Sequence, residues 1–302
     1  MSTTCSSSWL RWGNAAEATS SMARGRTLRL SFCIVGSSSG SAPHARVAAS
    51  QRVGSWGNRP ILSLDAGFAG GRWLRSMDAD DFFELLSTAR SVRRYSPEPI
   101  PDEDLARILY AASRAPSGTN RQPFRFVVLR DGPRARRARR LLGESFRRGW
   151  ARKMEEEGWN RGSAADPNSP KSRANRAIQH YVDHFEQIPA VVIACYLRYR
   201  ALTHSEGASV FPACQNLFLM ARALGYGACY SGWHNAVADE LREILEIPDN
   251  VELSLTITIG RPLGRHGPLR RRPIRDTVFD DGWERGAEWI SDPPDARLSK
   301  RR

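Results

Sequence analysis

The chain has 302 residues, 41% of them apolar, and a formal charge of +13. Five cysteines, an odd number without a CxxC pair, exclude a disulfide framework and a structural zinc site. The longest uncharged apolar run, Ile188 to Tyr196, falls well short of the roughly 20 residues a spanning helix needs.

The charge is unevenly placed. Residues 1–76 carry nine arginines, no lysine and two acids, Glu17 and Asp65. They are rich in Ser, Gly and Ala and show no sustained periodicity. Leu28 to Val35 has strand character but no evident partner. An over-extended gene start, a disordered tail and an Arg- and Ser-rich transit segment all account for this stretch, and all three place it outside the folded core. Basicity of this kind suggests nucleic acid, but the excess lies largely in that segment and near a proposed anion site, so nucleic acid is not expected as a partner. Arginine outnumbers lysine 42 to 3, a bias that reflects genome composition rather than binding.

From Met77 the pattern sharpens. Asp78 is placed to cap a helix with Phe82, Leu85, Leu86 and Ala89 on one face. Pro97, Pro99 and Pro101 form a rigid connector. Asp102 opens a second helix with Leu105, Ile108, Leu109 and Ala112, ending near Pro116. Phe124 to Leu129 reads as a buried strand. A basic helix follows over 133–157, then a loop over 158–171 of the kind that covers sites, and a helix over 173–186. A strand over 189–196, a helix over 208–224 closed by Gly225, a strand over 228–231, a helix over 239–245 and a strand over 251–259 complete the series. Gly260 onward is a Pro/Arg-rich extended stretch. This mix predicts one α+β domain over 77–290, with 291–302 as a basic tail.

Two segments carry chemistry. Arg90, Ser91, Arg93 and Arg94 follow the first helix. Pro116, Ser117, Gly118, Thr119, Asn120, Arg121, Gln122, Pro123 and Phe124 follow the second. Cations and a hydroxyl at one place, with small residues and two amides at the other, suit an elongated ligand with an anionic tail and a polar ring. Ser231 and Gly232 end the short third strand, and Arg270 and Arg272 lie in the extended stretch.

This pairing resembles the nitroreductase family. The family's Pro-Ser-x-x-Asn-x-Gln-Pro-aromatic motif is matched completely from Pro116 to Phe124. Its Arg-Arg-Ser-x-Arg motif is matched at Arg90, Ser91 and Arg93, with Ala89 in the place of the first Arg. Gly225 to Gly232 is similar to the family's loop beside flavin N5. The resemblance implies a mixed, mostly antiparallel sheet between helical layers, in an intertwined homodimer that exchanges C-terminal extensions. It implies FMN as cofactor and NAD(P)H as co-substrate, with hydride passing to flavin N5 and then to a small acceptor by ping-pong kinetics. Arg90, Ser91, Arg270 and Arg272 are then expected at the phosphate. Arg93, Asn120 and Gln122 are expected at the pyrimidine edge or ribityl chain. Pro116, Ser117 and Gly118 are expected against the ring from the partner subunit, and the backbone of Ser231 and Gly232 near N5. A cytoplasmic location is expected. Alternatives are a same-fold flavoenzyme with another reaction, such as dehalogenation, desaturation or flavin breakdown, and a non-catalytic flavin-binding or interaction protein.

Other features carry less. His180 and His184 stand at metal-pair spacing but lack a third ligand. His234 is expected in packing. Gly225-x-Gly227 follows a helix, so it is no dinucleotide fingerprint. Trp150, Trp159 and Tyr181 are candidate substrate-side aromatics.

Overall fold

A computed structural model describes residues 78–299, save Arg265 and the side chain of His204. Residues 1–76, including the strand proposed at 28–35, lie outside the described residues. Six α-helices and four strands occur among those described.

Helix α1, Ala79–Thr88, starts where Asp78 Oδ1 accepts the Asp80 N–H at 3.0 Å. The proline connector leads to α2, Asp102–Ala112. Strand β1, Phe124–Leu129, precedes the long α3, Pro133–Glu156, whose proline occupies the first turn where no N–H is needed. The region expected as a loop holds a short 3-10 turn, Gly162–Ala165, before α4, Pro170–Asp183. Strand β2, Ala190–Leu197, is followed by α5, Phe211–Ala223. This helix begins three residues later than its pattern predicts, because Pro212 sits in the first turn and a 3-10 turn, His204–Ser209, precedes it. Strand β3, Gly227–Ser231, helix α6, Ala238–Leu245, and strand β4, Val251–Gly260, follow.

The strands pair in the order β1-β2-β4-β3, all antiparallel. A parallel bridge between Ser91 and Ala228 extends the sheet beyond β3, so the sheet is antiparallel except at this edge. Alternation along β2 serves two cores. Ala190, Val192, Ala194 and Tyr196 face α2 and α5 with Ile108, Leu217 and Phe218. Val191, Ile193 and Cys195 face α3, α4 and α6 with Leu142, Phe146 and Leu241. Helices thus cover both faces, which explains why β2 is apolar without alternation.

Residues 261–299 are extended, with one 3-10 turn at Ile274–Asp276. Residues 291–299 are not separate from the fold. The Arg271 N–H donates to the Arg297 carbonyl at 3.1 Å, the Ser299 N–H to the Arg271 carbonyl at 2.7 Å, and the Ile274 N–H to Asp292 Oδ1 at 3.1 Å.

Candidate functional site: a cation-lined cleft and a left-handed loop

The chain leaves α1 at Ala89, whose N–H still donates to the Leu85 carbonyl. It then runs beside β3, and the Val92 N–H donates to the Ala228 carbonyl at 2.9 Å. Val92 turns inward and is buried. Alternation therefore sends Ser91 and Arg93 to the opposite side. A Cβ on Gly227 would lie 2.5 Å from Val92 Cγ2, so only glycine permits this approach. The far end is fixed by Tyr95. Its hydroxyl donates to the Val92 carbonyl and lies 3.0 Å from Thr258 Oγ1. The Tyr181 hydroxyl lies 3.1 Å from the same Thr258 atom. Burial holds both phenols well above their ordinary pKa, so both remain protonated donors. Burial also raises the Cys229 thiol, opposed by the Arg93 charge and a hydrogen bond with Ser91.

Arg90, Ser91 and Arg93 line a cleft of about 1110 Å³. Its other walls are Phe83 and Leu86 of α1, Gln215 and Phe218 of α5, Tyr230 of β3, and two stretches of the C-terminal segment. Tyr230 is fixed there by its hydroxyl donating to Gln215 Oε1 at 2.9 Å and by its ring, 5.0 Å from that of Phe218. Arg271, Arg272 and Arg297 bring further positive charge, against Asp292 and Asp295. Among the described residues Arg90, Arg93, Arg271 and Arg272 make no ion pair with a carboxylate.

The structure thus brings together Arg90, Ser91 and Arg272 of the expected phosphate set, and beside them Arg93, expected at the pyrimidine edge or ribityl chain. It adds Arg271, which sequence reasoning passed over, and it does not place Arg270 on the cleft. Strict alternation along an extended run would pair 270 with 272. Here the run is clamped between α1 and residues 297–299, with the Leu269 N–H donating to the Ser87 carbonyl at 2.9 Å. Ala89, standing where the family has an arginine, is buried in the core. Ser231 and Gly232 do not line the cleft but directly follow Tyr230, which does.

Pro116, Ser117, Gly118, Asn120 and Gln122 do not line this cleft either. They form a tight loop whose backbone is unusual. Thr119, Asn120 and Gln122 have φ of 49°, 54° and 50°, left-handed values that cost non-glycine residues about 1–2 kcal/mol each. The loop is held by the Gln122 N–H donating to Ser117 Oγ at 2.9 Å, and Gln122 Nε2 reaches Asn120 Oδ1 at 3.3 Å. Pro116, Gly118, Asn120 and Gln122 are exposed.

Of the remaining candidates, Trp150 and Tyr181 are corrected. They are 1% and 3% exposed and belong to the core under α3 and α4, not to a substrate surface. Trp159 is half-buried, 5.3 Å from the Trp150 ring. His234 is fully buried with Nε2 3.3 Å from the Leu253 carbonyl. His180 and His184 stack at 4.1 Å, and no group of three metal-ligating side chains occurs among the described residues. No described helix is long and apolar enough to cross a membrane.

The sequence profile of the nitroreductase family matches residues 86–261. An Archaeoglobus fulgidus protein provisionally named NADH dehydrogenase/NAD(P)H nitroreductase is 28% identical over 185 residues, 61% of this chain and 86% of that protein. Iodotyrosine deiodinase of Nematostella vectensis is 31% identical over 207 residues, 66% of this chain and 74% of that protein. Among solved structures, a nitroreductase with bound FMN from Bacteroides fragilis is 21% identical, with a TM-score of 0.45 over 62% of this chain and 94% of that one. The chain belongs to the nitroreductase family and, by that membership, is a flavin-dependent oxidoreductase.

Proposed function

We propose that the chain binds FMN, takes electrons from NAD(P)H and passes them to a small acceptor, as a homodimer in which each 116–122 loop completes the partner's site. The observation that carries this reading is the set of guanidiniums without carboxylate partners, Arg90, Arg93, Arg271 and Arg272, around one cleft with the Ser91 hydroxyl. A phosphate monoester brings close to two negative charges and accepts charge-assisted hydrogen bonds from such groups. At about 1110 Å³ the cleft is slightly larger than the range for small-molecule sites, about 300–1,000 Å³, and so has room for an elongated ligand. When bound, the flavin supplies the two-electron chemistry, so no side-chain nucleophile is required.

The chain's own residues bind and orient. Arg90, Ser91 and Arg272, joined by Arg271, hold the phosphate, with Arg270 beside them. Arg93 is half-buried and favours negative charge on the ring edge. Asn120 and Gln122 present amides from a loop already fixed in shape, with Pro116, Ser117 and Gly118 packing on the ring. The backbone of Ser231 and Gly232 lies at the end of the strand that carries Tyr230 into the cleft. Exposed aromatics support the homodimer. Phe83 is 59% exposed, Tyr110 65% and Trp289 71%, more large apolar surface than an isolated subunit needs.

Nitroaromatics and quinones are the acceptors to test. The similarity to an iodotyrosine deiodinase favours reductive dehalogenation of a haloaromatic as the second reading. Offering iodotyrosine and menadione to the same FMN-loaded protein separates the two. The primary test is FMN loading followed by desalting and titration. Wild type retains flavin that NAD(P)H bleaches, while Arg93→Ala binds FMN about 10- to 100-fold more weakly, as expected for one charge-assisted hydrogen bond of about 1.5–3 kcal/mol. A dimer that cannot be loaded with FMN, or an Arg93→Ala variant with unchanged affinity and turnover, overturns the assignment.

A further inference from the structure

The loop 117–122 does not hold its left-handed backbone alone. The Gly118 N–H donates to Ser209 Oγ at 3.2 Å. The Arg121 guanidinium lies over the Tyr199 ring at 4.5 Å. Tyr199 is also faced by Arg200 at 5.3 Å. Arg200 is anchored in turn, with Nε 2.9 Å and Nη2 2.8 Å from Glu206 Oε1. Glu206 is 7% exposed, yet it receives Arg200, the Thr203 hydroxyl at 3.1 Å and the buried Tyr196 hydroxyl. A buried carboxylate is costly unless donors meet it, and here they come from β2 and from the turn that follows it. Tyr196 belongs to the core between β2, α2 and α5. An unbroken series of contacts therefore runs from the sheet through Glu206, Arg200 and Tyr199 to Arg121.

We propose that Tyr199, Glu206 and Ser209 are positioning residues that hold the 117–122 loop in its binding conformation. This rests on the reading of that loop as a flavin-binding element. None of the three touches the ligand in this proposal; they act through Arg121 and Gly118. The ordering cost of the loop is met before the ligand arrives, which raises affinity without adding a contact to it.

The test uses the full chain as wild type, Tyr199→Leu, Tyr199→Phe and Glu206→Gln. Amide hydrogen exchange of residues 117–122 is followed without flavin, and FMN affinity is measured by fluorescence quenching. Tyr199 is 45% exposed, so its variants fold, and a thermal melt checks Glu206→Gln. Exchange in Tyr199→Leu and Glu206→Gln is expected to quicken about two- to fivefold, with FMN affinity weakened by a similar factor, the range for an exposed cation–π contact. Tyr199→Phe keeps the ring and matches wild type in both. Unchanged exchange in Tyr199→Leu and Glu206→Gln overturns the support role. Faster exchange with unchanged FMN affinity overturns its link to binding. Wild type that takes up no FMN overturns the flavin reading itself, and the binding role proposed here with it, whatever the exchange rates show.

Discussion

At the scale of single residues, the cleft depends on side chains that are absent as much as on those present. Gly227 lets Val92 close onto β3, and Val92 in turn sets Ser91 and Arg93 on the cleft side. Gly227→Ala would place its Cβ 2.5–2.8 Å from three Val92 side-chain atoms. Overpacking of this kind typically costs about 1–3 kcal/mol. Because the displaced segment carries two of the proposed ligand groups, FMN affinity should fall along with the melting temperature. A variant that melts and binds as wild type would show that the 90–95 segment yields freely. Arg139 is the opposite case, a buried cation without a carboxylate partner among the described residues. It is 7% exposed, and its guanidinium donates to the Leu129 and Ile188 carbonyls at 2.8 Å each and to Pro189 at 3.1 Å. Burial lowers its pKa, but four carbonyls, that of Glu186 included, compensate. Arg139→Met would leave these acceptors without a donor at the ends of β1 and β2, at a cost of about 3 kcal/mol or more. Chemical denaturation measures this directly.

At the scale of elements, the punctuation of the chain was readable where one residue type has a single physical use. Gly225 is a clear instance. Its φ is +83°, its N–H donates to the Arg222 carbonyl at 3.0 Å, and the Tyr226 N–H reaches back to Ala221 at 2.8 Å. Gly225→Ala should cost about 1 kcal/mol through the left-handed penalty alone and lower the melting temperature without changing the cleft. An unchanged melting temperature would mean the α5 terminus relaxes into another cap. Asp78, Pro133 and the strand at Phe124–Leu129 were legible on similar grounds, and the Pro116–Phe124 motif located the loop. Its conformation was only partly legible, since Asn120 is of a type that tolerates the left-handed region but Thr119 and Gln122 are not. Tertiary contacts from residues 199–209 sustain them. Trp150 and Tyr181 were misplaced because aromatic character was weighed above period. Leu142, Phe146 and Trp150 recur every four residues along α3, the signature of one buried stripe. In the extended segment alternation pairs Arg270 with Arg272, and the clamp against α1 and residues 297–299 that brings Arg271 to the cleft instead has no local signal in the sequence.

At the scale of the whole molecule, protonation couples distant parts of the fold. Three histidines have lowered pKa values, and in each the first cause is burial. His234 sits at the foot of the Ser231–Gly232 turn; His180 is also opposed by His184 and Arg94, and His266 by Arg90 and Arg222. In the unfolded chain each titrates near 6.5. The folded protein therefore binds fewer protons than the unfolded chain once the pH falls below about 6.5. Their contribution is fully present above that value and is lost progressively below it. The carboxylate of Glu206, held low first by the Tyr196 hydrogen bond, adds a loss of the same sign only nearer the ordinary carboxylate range. Melting temperature should thus be level between pH 7 and 8 and decline from pH 6.5 to 5. His234 dominates because it is fully buried, and the backbone hydrogen bonds of its ring, to the Leu253 carbonyl at 3.3 Å and to Ser231, oppose the effect of burial without cancelling it. A single such group contributes a slope of at most about 1.4 kcal/mol per pH unit. His234→Gln, which retains a donor toward that carbonyl, should flatten the decline. His180→Gln should do so less, because its ring is only half-buried. If wild type melts at the same temperature at pH 5.5 and 7.5, the interior admits the proton at no cost. If His234→Gln keeps the full decline, the titration belongs to the other two sites, and the interior around His234 is more permeable to water than its burial implies.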